Sequence, residues 1–197
     1  MDESRSAGRM AVCFASVAFA LEVTASVMYG AAAGVSDGPS VEPSLLLAAG
    51  THGASLIRWG SLIDMAGYLC MAPVVLYLRN RYRTQRHADL FAFAGLALVV
   101  VGAIGAVSMA TAAPPLMREF ATADAAHRQL LLPVFATLYR AVVVGMWQTL
   151  ETIPAAVWLL GTASAARRQG PRSVFVILLV LGSINAVLAL YRLVTPN

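Results

Sequence analysis

Five long apolar stretches, separated by short segments that contain arginine, constrain the fold of this chain more than any other feature. A helix needs about 20 consecutive apolar residues to cross the hydrocarbon core of a bilayer. The sequence is 59% hydrophobic and only 12% charged, against roughly 45–50% apolar and 25% charged residues in soluble domains. This composition excludes an ordinary soluble domain and predicts an all-α, polytopic membrane helical bundle.

Hydropathy predicts five transmembrane helices in a single integral membrane domain over residues 1–197. They cover about residues 10–31, 57–78, 90–113, 134–164 and 174–194. We expect the first to be retained as a span, although its apolar core resembles that of a signal peptide. The third should end at Pro114 and Pro115, and the fourth, which contains Pro154, should tilt or kink. The segment 43–49 is either a short interfacial helix or a loop packed on the bundle.

The distribution of arginine predicts the orientation of the chain, because short cytoplasmic loops retain Arg and Lys. Three segments on one side are arginine-rich: the N-terminal tail, residues 79–86 and residues 167–172. The two alternate segments contain Asp37, Glu42, Glu119 and Asp124, with only Arg118 and Arg128. The N-terminus is therefore expected inside and the C-terminus outside. This topological role also accounts for the basic run 79–86, so no nucleic-acid partner is expected.

Six charged residues fall inside the predicted spans. They are the acids Glu22, Asp64 and Glu151 and the bases Arg58, Arg140 and Arg192. An ionised side chain in hydrocarbon costs at least about 2.5–3.5 kcal/mol, so such residues usually face a bundle interior or a wet cavity. The predicted topology places all six in the outer half of the membrane.

Helical spacing arranges polar and aromatic side chains as stripes on four of the five predicted helices. The stripes are Phe19, Glu22, Ser26 and Tyr29; Ser61, Asp64 and Tyr68; Arg140, Trp147, Glu151 and Trp158, with Gln148 beside them; and Gly182, Asn185, Ala189 and Arg192. The third helix has instead a surface of small residues, Gly95, Gly102, Gly105 and Ala106. Such surfaces are typical of closely packed membrane helices.

These stripes allow two interpretations. The acids and bases could pair to fix the register of the helices. Alternatively, they line an outward-opening cavity that receives a membrane lipid or another amphipathic small molecule. The ligand-binding residues would then be Glu22, Tyr29, Arg58, Tyr68, Arg140, Trp147, Gln148, Trp158, Asn185 and Arg192.

Two further functions remain open. A carboxylic acid that carries a proton can protonate a double bond or an epoxide, so Asp64 and Glu151 are candidate catalytic acids of an isoprenoid cyclase or isomerase type. The chain could instead be a non-catalytic subunit, or a homo-oligomer, that docks through its third helix.

Other chemistries are disfavoured by the residues present. The 14 basic residues are all arginine, which excludes a lysine Schiff base. His52, His87 and His127 lie in or beside connectors, so intramembrane haem ligands and a Ser–His dyad are not expected. The spacing of His52 and His127 matches no metal motif, and we expect neither a metal nor a cofactor.

The sequence from Arg58 to Tyr68, RWGSLIDMAGY, is followed by Pro73 and a basic loop. This arrangement resembles small bacterial multi-pass membrane proteins that contain a domain of unknown function. The resemblance covers residues 55–194 and implies a polytopic helical fold. It implies no activity and assigns no functional residue.

Overall fold

The computed structural model describes residues 2–34 and 42–195, with side chains from Ser6 onward. Asp37, expected in an outer loop, lies outside the described residues. Within those residues the chain forms seven α-helices and one π-helical segment. The elements are α1 (Asp2–Ala33), α2 (Pro43–Ala48), α3 (Gly50–Arg81), α4 (Ala88–Thr122), α5 (Ala125–Tyr139), the π-helical segment Arg140–Leu150, α6 (Thr152–Gln169) and α7 (Arg172–Val194).

Five helical stretches are long and apolar enough to cross a membrane, which confirms the predicted fold class and number of spans. They are Ser6–Ala33, Gly50–Arg81, Ala88–Thr122, Ala125–Gln169 and Arg172–Val194. Each begins before the residue at which hydropathy placed its start. Their outer surfaces present large apolar side chains, such as Val187 and Leu190 of α7, which are 67% and 63% exposed. This is the surface expected of helices surrounded by lipid.

The prediction that the third span ends at the proline pair is wrong, because α4 continues through Pro114 and Pro115 to Thr122. Proline lacks an N–H, so the carbonyls of Ala110 and Thr111 lose their helical donors. Membrane helices tolerate such interruptions because side chains, water and local adjustments satisfy the freed groups. As a result, Arg118 lies on a helix and not in a loop.

The fourth span combines α5, the π-helical segment and α6. In the π-helical segment hydrogen bonds run between residues five apart, and at its end the N–H of Glu151 donates to the carbonyl of Met146 at 2.8 Å. Pro154, for which a tilt or kink of the span was expected, lies in the first turn of α6, directly after this change of helix type. The α-helical spacing that aligned Arg140 with Trp147 therefore does not apply in the π-helical segment.

The chain divides into two compact units. The first unit contains the described parts of Met1–Ala18 and Met146–Asn197, together with Tyr68–Gly102. The second unit contains the described part of Phe19–Gly67, together with Ala103–Gly145. Each boundary between the units falls inside a helix. That the whole chain forms a single integral membrane domain therefore stays a prediction.

Small residues bring the helices of each unit close together. In α1, the buried positions Ala11, Ala18, Ala25 and Ala32 recur every seven residues, so one narrow alanine stripe forms its packing face. In the second unit, α2 packs against α5 and buries Leu46 and Leu47. The segment 43–49 is thus helical up to Ala48.

Candidate functional site

A buried polar cluster in the second unit joins α1 to α3. The hydroxyl of Tyr29 hydrogen-bonds to that of Ser61 at 2.7 Å, and the carboxyl group of Glu22 lies beside that of Asp64. Ser61 is fully buried and Asp64 is 6% exposed. The cluster therefore places two carboxyl groups side by side on two helices that are long and apolar enough to cross a membrane.

A second polar cluster lies in the first unit. The hydroxyl of Tyr68 donates to Oε2 of Glu151 at 2.8 Å, and Nε1 of Trp147 donates to the carbonyl of Gly102 at 3.3 Å. The Tyr68 ring covers Gly102 so closely that a Cβ there would lie 2.1 Å from a ring carbon. The absence of a side chain at Gly102 thus allows Tyr68 to reach Glu151.

The membrane acids have neighbours that the stripes did not predict. Two ion pairs between described side chains, Arg79 with Asp89 and His127 with Glu119, involve none of the six charged residues of the predicted spans. Glu22 lies beside Asp64, and Glu151 accepts from a tyrosine hydroxyl. Pairing of acids with bases that fixes the helix register stays a prediction.

The other residues proposed for the cavity are dispersed. Trp158 is 4% exposed and belongs to an apolar core of the first unit that includes Val75. Asn185 donates to the carbonyl of Leu181 on its own helix at 2.9 Å. Arg140 is exposed in the second unit. Gln148 and Arg192 are half-buried in the first unit.

The small residues of α4 pack inside the chain. All four of them, Gly95, Gly102, Gly105 and Ala106, are buried. Gly95, for example, lies against Val75 and Trp158, where a Cβ would be 2.9–3.0 Å from their side chains. A partner docking on α4 would therefore contact its exposed side chains, such as Phe93 and Val100.

An open cleft of about 290 Å³ in the second unit brings together Arg58 and Arg118. Hydropathy had placed Arg58 inside a span and Arg118 in a loop. We call it the Arg58–Arg118 cleft. Its lining residues are Arg58, Leu62, Ala110, Thr111, Pro114, Pro115 and Arg118. Sequence reasoning missed Arg118 because it ended the third helix too early. The spacing of Thr111, Pro115 and Arg118, four and three residues apart, could have revealed a shared helix face.

The two guanidinium groups of this cleft form no hydrogen bond or ion pair with the described side chains. The acids nearest to Arg118 along the chain are engaged elsewhere. Glu119 accepts from Nε2 of His127 at 2.8 Å, and Asp124 accepts from the backbone N–H of the same histidine at 2.8 Å. The positive charge of the cleft is therefore not compensated within the described protein.

The walls of the cleft combine this charge with apolar surface. Leu62 and the proline pair supply carbon atoms, while the carbonyls of Ala110 and Thr111 are acceptors without a helical donor. Guanidinium groups bind phosphate and carboxylate through paired, charge-assisted hydrogen bonds. The cleft can thus hold an anionic group that carries an apolar tail. Comparisons of the chain with family models, curated proteins and solved structures found no match.

Proposed function

We propose that this chain is a bacterial inner-membrane protein that binds an amphipathic anion, a phosphate-bearing or carboxylate-bearing lipid, in the Arg58–Arg118 cleft. The observation that supports this function is the presence of two uncompensated guanidinium groups on adjoining apolar walls. Arginine on a membrane-spanning helix is costly. A bound anion offsets that cost, which gives the protein a reason to keep both charges.

The size of the cleft favours recognition of a headgroup. Pockets that enclose a whole drug-sized ligand occupy about 300–1,000 Å³, and this cleft is about 290 Å³ and open. It can accept an anionic headgroup while acyl or isoprenoid chains remain outside among the exposed side chains. The proposed site is therefore smaller than the cavity inferred from the stripes. Of the ligand-binding residues predicted from the stripes, it contains Arg58.

We expect Arg58→Gln and Arg118→Gln each to weaken binding of phosphatidylglycerol roughly tenfold, because each removes charge-assisted hydrogen bonds. Native mass spectrometry of the detergent-purified protein measures this, with phosphatidylcholine as the zwitterionic comparison. Arg140→Gln is the matched control, since it removes one exposed charge from the same unit outside the cleft. Equal losses in the control and the cleft variants would show a net-charge effect and contradict the proposed site.

We further propose that the cleft faces the outer leaflet, as the arginine asymmetry of the connectors indicates. In a background without Cys13 and Cys70, a single cysteine at Ala123 should react with a membrane-impermeant thiol reagent in intact cells. A cysteine at Thr84 should react only after the cells are permeabilised. Labelling at Thr84 in intact cells would reverse the orientation and move the cleft to the inner leaflet.

Acid chemistry is a second candidate function, favoured by the burial of Asp64, which is 6% exposed, beside the Glu22 carboxyl. A carboxylic acid that carries a proton could deliver it to a double bond or an epoxide of an isoprenoid. Glu151, the other acid expected to be catalytic, accepts from Tyr68. Of the two, Asp64 is therefore the better candidate for a proton donor.

A further inference from the structure

We propose that the first unit contains a separate phosphate-binding pocket, formed where the loop between α3 and α4 meets the end of α6. We call it the loop pocket. It has a volume of about 230 Å³, and its lining residues are Gln85, Arg86, His87, Phe91, Ser164 and Arg168. This inference does not depend on the Arg58–Arg118 cleft, because the two sites share no residue.

The loop pocket carries uncompensated positive charge. The guanidinium groups of Arg86 and Arg168 form no hydrogen bond or ion pair with the described residues. The acid nearest to Arg86 in sequence is Asp89, which is held by Nε of Arg79 at 2.7 Å. Its carboxylate is therefore already committed to a neighbouring arginine outside the pocket lining.

Packing beneath the pocket fixes its shape. The ring of Phe91 lies against Gly161, where a Cβ would be 2.1 Å from a ring carbon. His87 meets this ring at an angle of 63°, with ring centroids 6.3 Å apart. The Phe91 ring thus forms the floor of the loop pocket, and the His87 imidazole packs against this ring.

A hydrogen bond ties the loop to α6. Nε2 of Gln169 donates to Oγ1 of Thr84 at 3.2 Å. Gln169 is next to Arg168 in the sequence, and Thr84 is two residues from Arg86. Tyr82, at the start of the loop, is 6% exposed and packs in a small core with Ala165 and Ala166. The arginines therefore project from anchored backbone, which lowers the ordering cost of binding.

The donors of the pocket identify the class of ligand. Two planar guanidinium groups, an imidazole and the Gln85 amide can all donate hydrogen bonds to one tetrahedral oxyanion. A phosphate group offers enough oxygen acceptors for this set, and arginine is well suited to bind it in a bidentate manner. The phosphate could belong to a lipid headgroup or to a soluble phosphate compound, since both present the same oxygens.

Two binding measurements on the detergent-purified full chain test the proposal. One uses inorganic pyrophosphate in a calorimeter, and the other uses phosphatidylglycerol in native mass spectrometry. The double variant Arg86→Gln with Arg168→Gln should lose roughly a hundredfold in affinity for the probe that binds, about tenfold for each lost guanidinium. The double variant Arg86→Lys with Arg168→Lys keeps the charge and should lose less, because lysine cannot bind in a bidentate manner.

The matched control is Arg83→Gln with Arg172→Gln, which removes two exposed arginines of the first unit that do not line the pocket. Its affinity should stay within about threefold of wild type. The binding measurements are made with Arg58→Gln and Arg118→Gln present in all variants, so failure of that cleft cannot affect the result. Binding of the lipid alone identifies a headgroup site, and binding of pyrophosphate alone a soluble ligand. Equal loss in the control, or no binding of either probe to the parent protein, would overturn the proposal.

Discussion

Replacing Gly102 with valine should destabilise the protein by about 3 kcal/mol, the largest loss that we expect from one substitution. A Cβ at this position would lie 2.1–2.3 Å from three atoms of the Tyr68 ring, so the ring must move. Overpacking of this kind costs about 1–3 kcal/mol. Displacement of Tyr68 also breaks its 2.8 Å bond to Glu151, and hydrogen bonds between membrane helices contribute about 0.6–1.7 kcal/mol.

The measurement is unfolding in sodium dodecyl sulfate, followed by the fluorescence of the three tryptophans. Gly145→Val is the matched control, because Gly145 is exposed and a Cβ there would meet only the carbonyl of Arg140 at 3.5 Å. The control should stay within about 0.5 kcal/mol of wild type. Adding Tyr68→Ala to Gly102→Val should recover part of the lost stability. If Gly102→Val unfolds at the wild-type midpoint, the Tyr68 ring does not lie where the structure has it.

Asp64→Leu should destabilise the protein by about 1–3 kcal/mol, because it leaves the half-buried Glu22 carboxyl without the polar neighbour that Asp64 provides. Asp64→Asn should retain most of the stability, since an amide can donate a hydrogen bond to the remaining carboxyl. The exposed acid Asp89 provides the control. It pairs with Arg79 on the surface, and its change to Asn should cost less than about 1 kcal/mol.

The same Asp64→Asn variant separates binding from acid catalysis, because the amide cannot deliver a proton. In the proposed binding protein, phosphatidylglycerol affinity should stay within about tenfold of wild type, since Asp64 does not line the cleft. A proton-donating enzyme would instead lose its turnover of isoprenoid substrates, measured by mass spectrometry of membrane extracts. Product formed by the Asn variant at the wild-type rate would exclude Asp64 as the acid.

Hydropathy was sufficient to predict the five spans because burial in lipid imposes a minimum length of apolar helix. It could not predict where the helices end. The rule that proline stops a helix comes from soluble proteins. In lipid, backbone N–H and C=O groups must be satisfied within the protein, so a helix is favoured even where it contains proline. Accordingly, α4 passes through Pro114 and Pro115. The π-helical segment was also not predictable, since its residues, Arg140–Leu150, contain no proline.

The candidate sites were predicted in part. Helical spacing correctly grouped Ser61 with Asp64, one turn apart on α3, and both belong to the buried cluster. The partners of these residues depend on which helices are neighbours, which spacing along one helix does not contain. Because opposite charges attract, the sequence suggested acid–base pairs, and it did not reveal that Glu22 lies beside Asp64. Arg118 was placed in a loop only because the proline pair preceded it.

The π-helical segment has a consequence for how this chain can change in length. In an α-helix, gaining or losing one residue rotates everything beyond it by about 100°, which in a membrane would turn packed side chains toward lipid. A segment bonded between residues five apart contains more residues per turn. It can lose a residue by returning to α-helical bonding, so the flanking helices keep their facing surfaces. We therefore expect a one-residue deletion within residues 140–150 to disturb the flanking helices less than a one-residue deletion within α4.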